Sequence, residues 1–295
     1  MTVHRMGGTA VVMDKWDAEL CLQLVEQYQI DSAQFVPTHF VRMLKLPQAT
    51  REKYDVSSLQ TVVHAAAPCP VEIKEQMFDW FGPVIHEYYA GTEGIGFCYI
   101  SPQDWLKHKG SVGRAMVGQI HICDENGLEL KACEQGDIYF SGGPELAYHN
   151  SPEKQAEAIN KNGWATMGDI GWVDDDGFLY LTDRKSFTII TGGVNVYPQE
   201  IENILVAHPD VMDVAVIGTP DPDFGERVTA IVQLVNPEQA GDELAKNIIS
   251  YAESRLSKVK TPKQVDFRVE LPRHPNGKLY KRMLKDEYWR NTSQK

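Results

Sequence analysis

Hydrophobic positions in the first hundred residues recur in two alternating rhythms. "GTAVVM" (8–13) reads as a strand. A helix follows over about 17–29, capped near Asp17, with Leu20, Leu24, Val25 and Tyr28 at helical spacing. "SAQFVP" is a short apolar strand stopped by Pro37, and Phe40, Met43 and Leu44 mark a second helical stretch. "LQTVVHAAA" reads as a buried strand. Pro70 then opens a helix with Ile73, Met77, Trp80 and Phe81 on its apolar side, and "VIHEYYAG" is the next strand. Strands that alternate with helices imply a mostly parallel sheet with helices on its faces.

After about residue 110 the pattern turns to simple alternation. "GQIHICDENGLEL" and "GWVDDDGFLYL" read as hairpins that bend at Asn126-Gly127 and Asp176-Gly177, and "GDIYFSG" adds a strand. The acidic run Asp174–Asp176 is expected to be a solvated hairpin tip. From about 185 onward the elements mix again. "FTIITG" is a strand, Pro198 opens a helix with Ile201, Ile204 and Leu205 inward, and "VMDVAVIG" and "RVTAIVQLV" are strands. A helix from Asp242 to about Leu256 and a strand "QVDFRV" complete the block. The expected fold class is therefore α/β: a mostly parallel sheet with helices, a small antiparallel β unit from about 110, and a small α+β domain. The expected boundaries are 1–182, a hinge at 183–186 within "TDRKS", and 187–295.

Charge and cysteine usage narrow the function classes. Lys+Arg 29 against Asp+Glu 41 leaves a net charge of −12, which argues against nucleic acid or anionic lipid as a partner. Five cysteines at 21, 69, 98, 123 and 133 form no C-x-x-C pair, and no secretory apolar segment accompanies them. They read as small buried hydrophobes in a reducing, cytoplasmic compartment. No apolar run has the ~18 residues of a transmembrane segment.

Four stretches are polar where core or a plain turn is expected. In "EYYAGTEGIG" a buried strand ends on Thr92 and Glu93, and strand ends are where open α/β sheets bind ligands. A hydroxyl beside a carboxylate suits Mg²⁺ held together with a phosphate, although the stretch alone also reads as a polar turn. In "GWATMGDIGWV", Asp169 could accept from both hydroxyls of a ribose, or merely cap a strand start. "LTDRKSFTIITGGVNVYPQEIE" places the planar donor fork of Arg184 at a domain joint and follows it with Gly192-Gly193, which lets a thin ligand pass. In "ELPRHPNGKLYKR" a Pro-Asn-Gly turn delivers Lys278 on a short, stiff loop.

Together, in this order, these stretches resemble the adenylate-forming superfamily, specifically its fatty-acyl-CoA synthetase branch. "YYAGTEG" is similar to the family's Y-G-x-T-E motif and "TMGDIG" to its T-G-D motif. "TDRKSFTIITGGVNVYPQEIE" is similar to the hinge and CoA motif, "LPRHPNGKLYKR" to the catalytic-lysine motif, and "AAAPCP" to the adenine-binding strand end. The resemblance implies activation of a carboxylic acid, most simply a fatty acid, as acyl-AMP with ATP and Mg²⁺, followed by transfer to coenzyme A. By motif, Ala65, Ala66, Ala67 and Tyr89 would flank adenine, Thr92 would bind phosphate and Glu93 would hold Mg²⁺. Asp169 and Arg184 would hold the ribose, Gly192 and Gly193 would line the pantetheine path, and Lys278 would reach the reacting oxygens from a mobile C-terminal domain.

This sequence departs from the pattern in three places. Ala90 stands for the glycine of Y-G-x-T-E, and Met167 for the glycine of T-G-D. The family's T-S-G-T-T-G-x-P-K phosphate loop is not found, so the chain is expected to be the C-terminal portion of a synthetase that begins inside the large domain. Two alternatives stay open. One is a catalytically inactive fragment that binds AMP, CoA or a partner chain supplying the missing part; the other is a ligase for an aryl, bile-acid or carnitine-type carboxylate. A homo-oligomer is a further open possibility.

Overall fold

The computed structural model describes residues 2–274 and 278–292. Nine strands form one hydrogen-bonded path: β1 (Ser32–Phe35), β2 (Thr61–His64), β3 (Ile85–Ala90), β4 (Phe97–Ile100), β5 (Ser111–Val117), β6 (Gln119–Cys123), β7 (Gly136–Ser141), β8 (Asp169–Val173) and β9 (Leu179–Arg184). Their spatial order is β1-β2-β3-β4-β5-β9-β8-β7-β6. The first three strands are parallel and the rest antiparallel, so the antiparallel strands extend the sheet begun by β1–β3.

The helices over the parallel strands follow from periodicity. In the helix Ala18–Tyr28 the Asp17 carboxylate accepts from Leu20 N at 2.8 Å, satisfying one orphan donor of the first turn. Its buried face is Ala18, Cys21, Leu22 and Val25, spaced i, i+3, i+4, i+7, while Leu20 and Tyr28 are exposed. With the helices Pro37–Leu44 and Val71–Phe81 it encloses a core of Phe40, Met43, Val62, Met77, Ile85 and Trp105. Residues 8–13, expected as a strand, are irregular. A strand needs a hydrogen-bonded neighbour, and this stretch has none among the described residues. The hairpin at Asn126-Gly127 turns as expected, with Gly127 at φ +73, but beyond Cys123 its second arm is a single bridge to Glu129.

A second sheet carries the C-terminal part: β10 (Ile189–Thr191), β11 (Val194–Val196), β12 (Val211–Asp221), β13 (Gly225–Leu234) and β14 (Gln264–Arg268), ordered β11-β10-β13-β12 with β14 paired to β13. β12 is buried along most of its length because both of its faces are covered. Val214 and Val216 pack towards the helices Pro198–Leu205 and Asp242–Glu253, while Ala215 and Ile217 pack towards Leu271 and Leu284. Leu284 belongs to a helix, Lys281–Thr292, that sequence periodicity had not indicated. Val206 packs against both the first core and the core of the second sheet. Lys45 Nζ donates to the carbonyls of His208 (2.8 Å) and Pro209 (3.3 Å), a second link between the two sheets' units.

Candidate active site

Several of the candidate residues lie at the ends of interior strands of the first sheet. β2 and β3 are parallel with His64 opposite Glu87, so Ala65–Ala67 leave the sheet at the same end as Tyr89. Ala65 is buried; Ala66 and Ala67 are exposed, and Ala66 has left-handed backbone at φ +77. β8 and β9 are antiparallel with Asp169 directly opposite Arg184. Arg184 Nε lies 3.2 Å from one Asp169 oxygen, and Tyr89 donates its hydroxyl to the other at 2.5 Å. Three residues far apart in sequence thus meet on a single carboxylate. A cavity of about 210 Å³, lined by Cys69, Glu87, Val112, Tyr180, Leu181 and Asn203 among others, includes none of these three residues.

Burial pushes the Asp169 carboxyl above the usual carboxylate range, although Tyr89 and Arg184 pull it back. Burial and then Asp169 raise the Tyr89 hydroxyl well above its ordinary value, so Tyr89 remains a donor at neutral pH. Asp169 has one strong donor on each oxygen and keeps lone pairs for others.

Gly168, at φ +79, makes the left-handed bend immediately before Asp169. The backbone freedom that the T-G-D comparison had missed at Met167 is therefore supplied by Gly168. Met167 does something else. A Cβ on Gly91 would lie 2.3 Å from its sulfur and 2.6 Å from a Glu93 carboxylate oxygen, so Met167 and Glu93 close over Gly91 and a side chain there would have to push their ends aside. Glu93 also accepts from Tyr148 OH at 3.3 Å, and Lys154 Nζ sits 4.2 Å from the Tyr148 ring centroid. Thr92 is exposed. Sequence reasoning missed Tyr148; a lone tyrosine in an irregular segment carries no periodic signal.

The remaining candidates lie in the second sheet's unit, across the short 3₁₀ turn Lys185–Phe187 that follows Arg184. Gly192 (φ +56) and Gly193 (φ +79) form the β10–β11 turn, and Gly192 N donates to Phe224 O at 2.9 Å. Lys278 is exposed on the second arm of a hairpin marked by the Arg273–Leu279 bridge, and His274 N donates to Lys278 O at 2.8 Å. The expected turn residues Pro275, Asn276 and Gly277 lie outside the described residues.

Asp174 is more than a solvated tip. Its carboxylate accepts from the backbone N–H of Asp176 and Phe178 and from Tyr180 OH, and it pairs with His108 Nδ1 at 2.9 Å. It pins the β8–β9 turn; a register shift between Ile170 and Gly171 then sets Asp169 opposite Arg184.

Residues 1–147 match the family model described as AMP-binding enzyme, and residues 200–278 match the AMP-binding enzyme C-terminal domain. The chain belongs to the AMP-binding enzyme family. A medium/long-chain-fatty-acid–CoA ligase of Mycobacterium tuberculosis, FadD8, is 34% identical over 293 residues, covering 96% of this chain and 50% of that protein. An indoleacetate–CoA ligase of Aromatoleum aromaticum is 33% identical over 278 residues, covering 93% of this chain and 53% of the relative. Among solved family structures, ATP-bound MatB of Rhodopseudomonas palustris superposes with a TM-score of 0.79 at 30% identity, covering 95% of this chain and 55% of its own. The chain spans about half the length of the curated relatives it matches.

Proposed function

We propose that this chain carries the nucleotide and lysine-loop part of an acid–thiol ligase that makes an acyl-adenylate from ATP and a carboxylic acid, then an acyl-CoA. The observation that carries this reading is the convergence of Tyr89 and Arg184 on Asp169 at the end of the parallel strands. In the first step a carboxylate oxygen attacks the α-phosphorus and pyrophosphate leaves. In the second, the CoA thiol attacks the acyl carbonyl, its proton passes to solvent, and AMP leaves.

Each residue then has a task. Asp169 accepts from ribose hydroxyls with its free lone pairs and is held in place by Tyr89 and Arg184. The Tyr89 ring and the Ala65–Ala67 backbone flank the adenine. Ala66, already in a left-handed conformation, presents its peptide groups without reorganisation. Glu93 offers one carboxylate, which fits Mg²⁺ when nucleotide phosphates supply its other oxygens, and Thr92 lies one residue away for a phosphate. Mg²⁺, when bound, would neutralise charge building up on the phosphates. Lys278 offsets charge on the carboxylate and α-phosphate oxygens, and Gly192-Gly193 lines the path of the thiol arm. The acid is most simply a fatty acid, as in the FadD8 relative; the indoleacetate relative keeps aryl acids in the comparison.

The test is pyrophosphate release by the 295-residue chain with ATP, Mg²⁺ and a panel of fatty and aryl acids, alongside thioester formation from pre-made acyl-adenylate and CoA. The expected result is release with at least one acid that falls roughly 10²–10³-fold in Lys278→Ala. Thioester formation without release would identify a chain that performs only the second step. Silence in both reactions would overturn the ligase reading and leave a fragment that binds without catalysing.

A further inference from the structure

The Lys278 hairpin is tied down at its far end by a buried ion pair that the proposed chemistry does not use. Lys281, three residues after Lys278 and at the start of the last helix, is 7% exposed. Its Nζ lies 2.7 and 2.8 Å from the two oxygens of Glu202, itself 7% exposed on the helix Pro198–Leu205. Glu202 also accepts from Val216 N at 2.6 Å. That N–H belongs to β12, the outermost strand of its sheet, so Glu202 satisfies a donor on an open strand edge.

The same ammonium sits 5.2 Å from the centroid of Phe187, the last residue of the turn Lys185–Phe187. The helix carrying Glu202 is fastened to that region from its other end, where Gln199 N donates to Asp183 at 2.8 Å. At the near end of the hairpin, Arg273 pairs with Asp213 of β12, and Leu271 is buried against the sheet.

We infer that Lys281 is a positioning residue that ties the Lys278 hairpin, through Glu202 and Phe187, to the turn joining the two sheets, so that hairpin and turn hold and move as one piece. A buried ion pair adds little stability over an apolar pair of the same volume, whereas it fixes geometry through directed bonds. Glu202 and Lys281 use three such bonds on three elements: a helix, an edge strand and the hairpin's exit. The assignment rests on the reading of Lys278 as the lysine of adenylation.

The experiment is amide hydrogen exchange on the full chain, following segments 185–191, 271–281 and 211–234. Lys281→Met alone strands the Glu202 charge, so the decisive variant is the pair replacement Glu202→Gln/Lys281→Met, with Lys281→Arg as the conservative control. In the pair replacement, 185–191 and 271–281 are expected to exchange roughly tenfold faster together while 211–234, apart from Val216, is unchanged, and Lys281→Arg should keep both slow. Faster exchange confined to 271–281, no change in either segment, or a general loss that includes 211–234 would each overturn the assignment. If Lys278→Ala leaves pyrophosphate release intact, the catalytic reading of Lys278 fails while the exchange result still decides the coupling.

Discussion

Ala66 holds a backbone conformation at φ +77 that costs an L side chain roughly 1–2 kcal/mol. Such strain persists where surrounding structure enforces it, and here it lies on the loop that leaves β2 beside Tyr89. Ala66→Gly should therefore raise stability by about 0.5–1 kcal/mol, the relief exceeding the entropy glycine adds to the unfolded chain. A urea midpoint equal to or below that of the parent would show that no strain is stored there. His39 gives a pH signature. It stacks on Trp16 with ring centroids 4.1 Å apart, and burial, helped by Arg42 and Arg273, lowers its pKa from 6.5 to about 4. The folded value is the lower one, so the unfolded chain takes up the proton first. The stability tied to neutral His39 is complete above pH 6.5 and is lost as pH falls through about 4. Thermal midpoints should thus decline less steeply from pH 6.5 to 4 in His39→Gln than in the parent; equal slopes would contradict the assignment.

Between elements, the least ordinary contact is a buried charge cluster behind the candidate site. Lys74 of the helix Val71–Phe81 is fully buried and donates to Glu87 of β3 at 2.6 Å. His64 Nε2 lies 3.2 Å from the same oxygen, poorly aligned for a hydrogen bond. Burial raises the Glu87 carboxyl, but His64 and Lys74 outweigh it and carry the group below its ordinary value. Glu87 is two residues before Tyr89, so this cluster fixes the strand that presents the ring. Lys74→Met should cost about 3–5 kcal/mol by leaving a buried charge unpaired, and adding Glu87→Gln should recover most of it. A double variant no more stable than the single one in urea unfolding would rule this out.

Periodicity reveals elements, and the cluster shows where it stops. Ile73 and Met77 announce the helix Val71–Phe81, and Lys74 is buried because it shares their face; one cationic letter in an apolar stripe does not say that a carboxylate waits on the next strand. Glu202 hides in the same way between Ile201 and Leu205. The last helix escaped notice because its residues are mostly polar and Leu284 is the fully buried one. Residues 8–13 show the opposite failure, an apolar run with no strand partner among the described residues. Tyr89, Asp169 and Arg184 stand out by their motifs, but their meeting on one carboxylate depends on how β3, β8 and β9 are arranged in the sheet.

At the scale of the molecule, an acidic chain places a few cations where anionic ligands would need them. Its two sheets are joined by Val206, by the Lys45 donations to His208 and Pro209, and by the Asp183–Gln199 hydrogen bond, with Arg184 immediately before the Lys185–Phe187 turn. In the proposed function Asp169, held by Tyr89 and Arg184, grips the ribose of an adenine nucleotide. Equilibrium binding of AMP to the parent chain and to Asp169→Asn is the sharpest test. Binding should be saturable and weaken by roughly tenfold or more in the variant, as when a charge-assisted hydrogen-bond acceptor is lost. Equal affinity in the two proteins, or no AMP binding by the parent, would contradict it.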